Sequence, residues 1–272
     1  MITQNLHMHS TWDDGKCSVE EMILASKAAG LQSVGVSVHG PMPFPNTWEC
    51  PAERLPDYIA EVRALEKKYA GEITVYLGIE WDATMPELDL TPFDYVIGSV
   101  HEIPDPKGGT RSVDADPQTT ATCLSECYGD DADAAAEAFF AEYDKVAANP
   151  KAAIVGHFDL LTKFDETHHF FDENSPRYRA AAERAMEKLV RAGKIFEVNT
   201  GAISRGYRTL PYPSMQWLKL LREIGGRVTI SADAHHISGV TCAFDQAEKL
   251  VKETGFDEIW VLEGKEFIPM KI

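Results

Sequence analysis

Ser33-Val-Gly-Val-Ser-Val-His39 is a short run of β-branched and small residues that closes on a histidine. Seven residues of this kind read as a buried strand, because β-branched side chains fit a pleated surface and lose rotamer freedom in a helix. The pattern recurs along the chain. Ile2 to Leu6 precedes it, and Ile73 to Ile79, Tyr95 to Val100, Ala152 to Gly156, Ile195 to Val198 and Arg227 to Ala232 follow. Helical patterns alternate with these runs. Ser18-Val-Glu-Glu21 is a capping box ahead of a helix stopped by Gly30. Further helices are expected at Ala52 to Ala70, Asp133 to Ala148, Ser175 to Gly193 (with Pro176 in the first turn), Ser214 to Ile224 and Ala243 to Thr254. A last strand is expected at Glu258 to Leu262. Strands separated by helices pair in parallel, since parallel neighbours need a crossover. Seven such units without a composition break predict one α/β barrel domain over residues 1–272; an open doubly wound sheet is the alternative. Ile103 to Asp131, rich in Asp, Gly, Pro and Thr, is expected to be an active-site loop.

The chain has 272 residues, 44% of them hydrophobic and 25% charged, enough to bury a sizeable core. Lys and Arg number 26 against 43 Asp and Glu, a formal net charge of −17. That charge argues against a nucleic-acid or anionic-membrane partner, though not against a small anion where cations reverse the sign locally. No apolar run approaches the roughly 18 residues of a membrane span, and no secretory signal is visible at the start. Cys17, Cys50, Cys123, Cys127 and Cys242 are odd in number and lack zinc-finger spacing, which fits a reduced cytoplasmic protein.

The residues that leave the apolar runs carry the chemistry. The first run gives His7 and His9, the second His39, the third Glu80, the fourth His101, the fifth His157, the sixth Asn199, and the seventh Asp233 and His235. In a parallel barrel these strand ends converge on one face, where the βα loops build the active site. Six of the nine histidines and two carboxylates are therefore expected in one cleft. The two-residue spacing in His7-Met-His9 and Asp233-Ala-His235 places each pair on one side of its strand. Each residue alone could be a hydrogen-bonded structural group. Gathered, they would be electrostatically costly without cations, so a metal site is expected. Imidazole and carboxylate without thiolate suit Zn, Mn or Fe. The set exceeds one ion's capacity, and Asp14 adds a further carboxylate within reach.

Other residues read less sharply. His168 and His169 fit a polar surface loop, and His236 is expected behind His235, orienting it. Cys123 and Cys127 lack two more ligands for a zinc site. Trp12, Phe44, Trp48 and Trp81 wall a pocket or cap the barrel. Arg205 and Arg208, in the glycine-containing loop after Asn199, are expected to clamp an anion; the alternative is a surface pair bonded to local carboxylates.

Taken in order, His7-x-His9 with Asp14, His39, Glu80, His101, His157 and Asp233-x-His235 resemble the PHP family, named for polymerases and histidinol phosphatases. The resemblance covers nearly the whole chain. It implies a distorted (β/α)7 TIM-like barrel with a metal site at the C-terminal strand ends, holding two or three divalent ions. One ion would take His7, His9, Glu80 and Asp233; a second would share Glu80 and take His101 and His157; a third would take Asp14, His39 and His235. Gly98-Ser-Val-His101 and Asn199-Thr-Gly look most like the family's histidinol-phosphate phosphatases, which often carry His where this chain has Asp14. The implied activity is phosphomonoester hydrolysis of a small phosphorylated substrate, L-histidinol phosphate, by a hydroxide held between ions that share Glu80. Glu80, Asp233, Arg205 and Arg208 are the expected catalytic groups. The alternatives are another phosphoesterase of this family acting on nucleotides or DNA 3′ ends, an amidohydrolase-type metalloenzyme, and a barrel that keeps metals for stability alone. Amidohydrolases usually supply a bridging modified Lys, whereas here Glu80 takes that place.

Overall fold

The computed structural model describes residues 2–272. Its elements run β1 (Gln4–Asn5), α1 (Val19–Ala28), β2 (Ser33–His39), α2 (Leu55–Lys68), β3 (Thr74–Asp82), β4 (Tyr95–Ser99), β5 (Glu102–Pro104), β6 (Thr110–Ser112), α3 (Pro117–Tyr128), α4 (Ala132–Ala148), β7 (Ala152–Val155), α5 (Asp165–His168), α6 (Pro176–Arg191), β8 (Ile195–Asn199), α7 (Gly201–Ser204), α8 (Met215–Glu223), β9 (Arg227–Ser231), α9 (Phe244–Glu253), β10 (Glu258–Glu263) and β11 (Glu266–Lys271). Seven strands form one parallel sheet in the order β1-β2-β3-β4-β7-β8-β9. A parallel bridge between Met8 and Ala234 brings the last strand back to the first, with the His9 amide donating to the Ala234 carbonyl at 2.9 Å. The ring is a nearly closed TIM-like barrel. Among the described residues no helix is long and apolar enough to cross a membrane.

Two layers of apolar packing hold the barrel. Outside, the helices lay their apolar stripes on the strands. In α6 the buried set Tyr178, Ala181, Ala182, Ala185, Met186 and Leu189 follows helical spacing, and it meets Phe139, Phe140 and Tyr143 of α4. Full burial of each large side chain contributes about 1.5–3 kcal/mol. Inside, Tyr95 crosses the barrel and its hydroxyl donates to the Leu6 carbonyl. The ring fits only because β2 and β3 carry Gly35 and Gly78 there; a Cβ at either would come within 2.2 Å of Tyr95.

Leu6, Tyr76, Ile97, Ile154 and Leu262 fill the N-terminal end of the barrel. Leu262 comes from the antiparallel hairpin β10–β11, which turns at Gly264 (φ 62°). Gln4 pins this hairpin, accepting from the Leu262 amide at 2.8 Å and donating to its carbonyl at 2.9 Å. The expected last strand is thus present, but it belongs to a separate two-stranded sheet that plugs the barrel.

The segment 103–131 is not a loop. It holds most of the hairpin β5–β6, in register from Glu102↔Ser112 to Pro104↔Thr110, and the helix α3. Asp116 caps α3 by accepting from the Thr119 amide, Pro117 occupies the first turn, and Gly129 ends it in the left-handed conformation (φ 59°).

Candidate metal centre

The alternation of each strand decides which residues face inward, and the C-terminal strand ends bring the expected residues together. Glu80, fully buried at the end of β3, is the hub. Its Oε2 lies 3.1 Å from His7 Nε2 and 3.0 Å from His39 Nδ1; its Oε1 lies 3.0 Å from His157 Nε2 and 3.5 Å from His101 Nε2. His9 Nε2 is 3.2 Å from Asp233 Oδ1, and His235 Nε2 is 3.1 Å from Asp14 Oδ1. The His9 ring stacks on His235 with centroids 4.1 Å apart.

Three sets have donor atoms within 4.8 Å of one another: His9, Asp14, His39 and His235; His7, His9 and Asp233; and His39, Glu80 and His101. His39 therefore stands with Glu80 and His101 as well as with Asp14 and His235, while His157 approaches through Glu80. The donor atoms fit divalent cations. His9 Nε2 and Asp14 Oδ1 are buried and make no hydrogen bond, a cost that a coordinated cation removes.

The electrostatics point the same way. Burial lowers the basicity of His7, yet Glu197, Glu80 and Asp233 outweigh it and hold the ring well above the usual imidazole range. His9 is likewise desolvated, but Asp13 and Asp233 push it up to about 10. His101, desolvated beside Glu80 and Asp82, rises to about 9. Burial opposes the charge on Glu80 and Asp233, yet the surrounding imidazoles, with Arg205 on Asp233, hold both well below the carboxylate range. Such a site carries protons where cations could replace them.

Three carboxylates absent from the sequence-based set hold the rings from behind. Glu197 on β8 accepts from His7 Nδ1 at 2.6 Å and from the His157 amide at 3.1 Å. Asp13 takes His9 Nδ1 at 2.6 Å and the His39 amide at 2.9 Å. Asp82 takes His101 Nδ1 at 3.0 Å and its amide at 2.8 Å. A carboxylate on the far ring nitrogen fixes the tautomer and turns the other nitrogen toward the cation position. One was legible by period-two spacing: Asp82 follows Glu80.

Above this floor lies a cavity of about 330 Å³, walled among others by Trp48, Glu102, Asp114, Lys163, Arg205 and Tyr207. Arg205 Nη2 donates to Asp233 Oδ2 at 3.0 Å, while its buried Nε has no protein acceptor. Arg208 does not line the cavity, which corrects the expected pair of clamping arginines. Its guanidinium lies 4.4 Å over the Tyr212 ring and donates to Thr162 Oγ1, because Asp159, also buried, draws it inward. Lys163 supplies the cavity's second basic side chain instead. Of the four aromatic residues only Trp48 walls the cavity, edge-on to His39 at 5.0 Å; Trp12 donates to Glu61. His168 and His169 lie on a short surface helix and its cap. His236 is exposed and accepts from the Ser238 amide, so it does not orient His235. Cys123 and Cys127 are free thiols on α3.

A TIM-like barrel with a histidine–carboxylate centre on its C-terminal face is the class that fold and site define. Residues 5–201 match the PHP domain model, and the chain belongs to the PHP family. It is 25% identical over 264 residues to a Schizosaccharomyces pombe protein named "Probable histidinol-phosphatase", covering 90% of this chain and 84% of that one. It is 28% identical over 248 residues to a protein of the same name from Deinococcus radiodurans, covering 86% of each. Among solved structures, histidinol phosphate phosphatase from Lactococcus lactis, complexed with Zn, L-histidinol and phosphate, superposes with a TM-score of 0.76 at 21% identity and 98% coverage of both chains.

Proposed function

We propose that the chain is a metal-dependent phosphomonoesterase that hydrolyses L-histidinol phosphate to L-histidinol and phosphate, with residues 1–272 acting as one domain. One observation carries this: nine side chains from six strand ends and the first βα loop form a largely buried imidazole–carboxylate floor under a pocket that also presents Arg205. The names of the relatives and the ligands of the Lactococcus structure support the substrate. His7, His9, Asp14, His39, Glu80, His101, His157, Asp233 and His235 would hold two or three divalent ions of Zn, Mn or Fe. Bound ions of this kind supply Lewis acidity toward phosphoryl oxygens and acidify water at neutral pH.

The chain's own groups do the rest. Glu80, with five imidazoles within 3.6 Å of its oxygens, holds the floor together. Asp233 orients Arg205, whose unmet Nε–H is a donor for a phosphoryl oxygen. In the net reaction water adds to phosphorus, the ester P–O bond breaks and the alcohol leaves with a proton. The five free cysteines support a reducing, cytoplasmic setting.

Phosphate release from a panel of esters tests the activity. Turnover of L-histidinol phosphate should exceed that of nucleotides and a DNA 3′-phosphate, and also that of amides and lactones followed by acid release. A higher kcat/KM for any of those would overturn the substrate. His7→Ala should remove both metal content and turnover, and full activity at full metal loading would end the ligand assignment.

A further inference from the structure

An alkyl phosphate expels an alkoxide, a poor leaving group unless it is protonated as the bond breaks. The six imidazoles face Glu80, Asp14 and Asp233, and Ser112 donates to Asp114. Asp114 is partly buried, yet Lys163 and His101 hold it down at about 2, so it carries no proton.

Lys163 stands differently. It is buried at the end of a 3-10 turn, Leu160–Thr162, on the β7 side of the cavity. Its Nζ donates to the Asp114 carbonyl at 2.7 Å and to Asp114 Oδ2 at 3.1 Å. The ammonium has three protons, and among the described residues no protein acceptor takes the third. Tyr207 and Phe164 bracket the head, with ring centroids 5.1 and 5.5 Å away. The Arg208–Thr162 bond braces the residue just before it. The ammonium is therefore fixed on the cavity wall with a spare donor, on another βα loop from Arg205.

We propose that Lys163 is the proton donor to the leaving alcohol, with Asp114 holding its ammonium in place and Arg208 positioning its turn. The assignment rests on the phosphatase reading above. As the ester P–O bond breaks, one Nζ–H proton passes to the departing oxygen and the nitrogen keeps the electron pair. The attacking water loses a proton to solvent, and solvent returns one to Lys163, so the cycle balances.

Metal-loaded wild type, Lys163→Met and Lys163→Arg should each be assayed on L-histidinol phosphate and on p-nitrophenyl phosphate, whose phenolate leaves without a proton. Both variants should lose about a hundredfold or more in kcat on the alkyl ester. They should keep the aryl turnover and the metal content of wild type. Equal loss on both esters, recovery of alkyl turnover in Lys163→Arg, or a selective alkyl loss in Glu102→Gln instead would each overturn the assignment. An inactive wild type on both esters would overturn the phosphatase reading itself, a separate result. If Lys163→Met does not fold, Lys163→Arg carries the test, since it keeps the positive charge beside Asp114 while offering a far weaker acid.

Discussion

Glu197 is wholly buried in a strand of apolar neighbours, and it touches His7, the His157 amide, Ser231 and Asn199 at once. Glu197→Gln keeps the shape and removes the charge that turns His7 toward Glu80. Its affinity for metal should fall about 10–100-fold with the fold retained, read by competition with a chelating dye; unchanged affinity would reduce Glu197 to packing. The strand-end residues were legible because each closes an apolar run at a place the barrel geometry singles out. Glu197 was not, because one acid inside Ile195-Phe-Glu-Val198 looks like the solvent side of an alternating strand. Only closure of the barrel turns that side into a polar interior. Arg208 misled for a related reason: spacing gives a residue's loop but not the depth to which a buried acid such as Asp159 draws it.

At the scale of elements, the strand–helix rhythm was readable because helix signals stand between several of the apolar runs, among them the Ser18 capping box, Pro176 in a first turn and the stops at Gly30 and Gly193. The hairpin β5–β6 was not, since each strand has three residues and neither alternates clearly. Its neighbour α3 hid in a Thr-rich, polar composition although Asp116-Pro117 and Gly129 mark both ends. These signals give α3 a testable dependence. Asp116→Ala, which removes a bond to the Thr119 amide at 2.9 Å, should cost about 1 kcal/mol in chemical denaturation. No loss of stability would mean that tertiary packing alone holds this helix. The hairpin brings Glu102 and Ser112, and the turn after it Asp114, to the cavity wall, so the segment reaches the site as ordered structure.

At the scale of the whole molecule, protons and bound cations would compete for the same donor atoms. In the metal-free protein His9 is raised to about 10, against about 6.5 when unfolded. A raised value means the native state holds the proton more tightly, so this contribution is full below the unfolded value and drains away as pH climbs toward 10. Glu80 and Asp233 act oppositely: their depressed values contribute stability above the ordinary carboxylate range that is lost on acidification. Metal-free protein should therefore melt progressively lower from pH 7 to 10. Metal-loaded protein, whose His9 has already given up its proton, should melt higher and vary less over that window. Parallel melting curves for the two forms would contradict the exchange of protons for cations.

Tyr95 and the plug at Leu262 leave the barrel without a rear exit. With traffic entering and leaving by the cavity on the C-terminal face, whatever binds deepest departs last. For an ester seated with its phosphoryl group against the floor, the alcohol must step out before inorganic phosphate can follow. Phosphate should then compete with the ester for the empty enzyme, whereas added alcohol should lower the maximal rate without competing. The reverse inhibition pattern would mean that a second route opens through the side of the barrel.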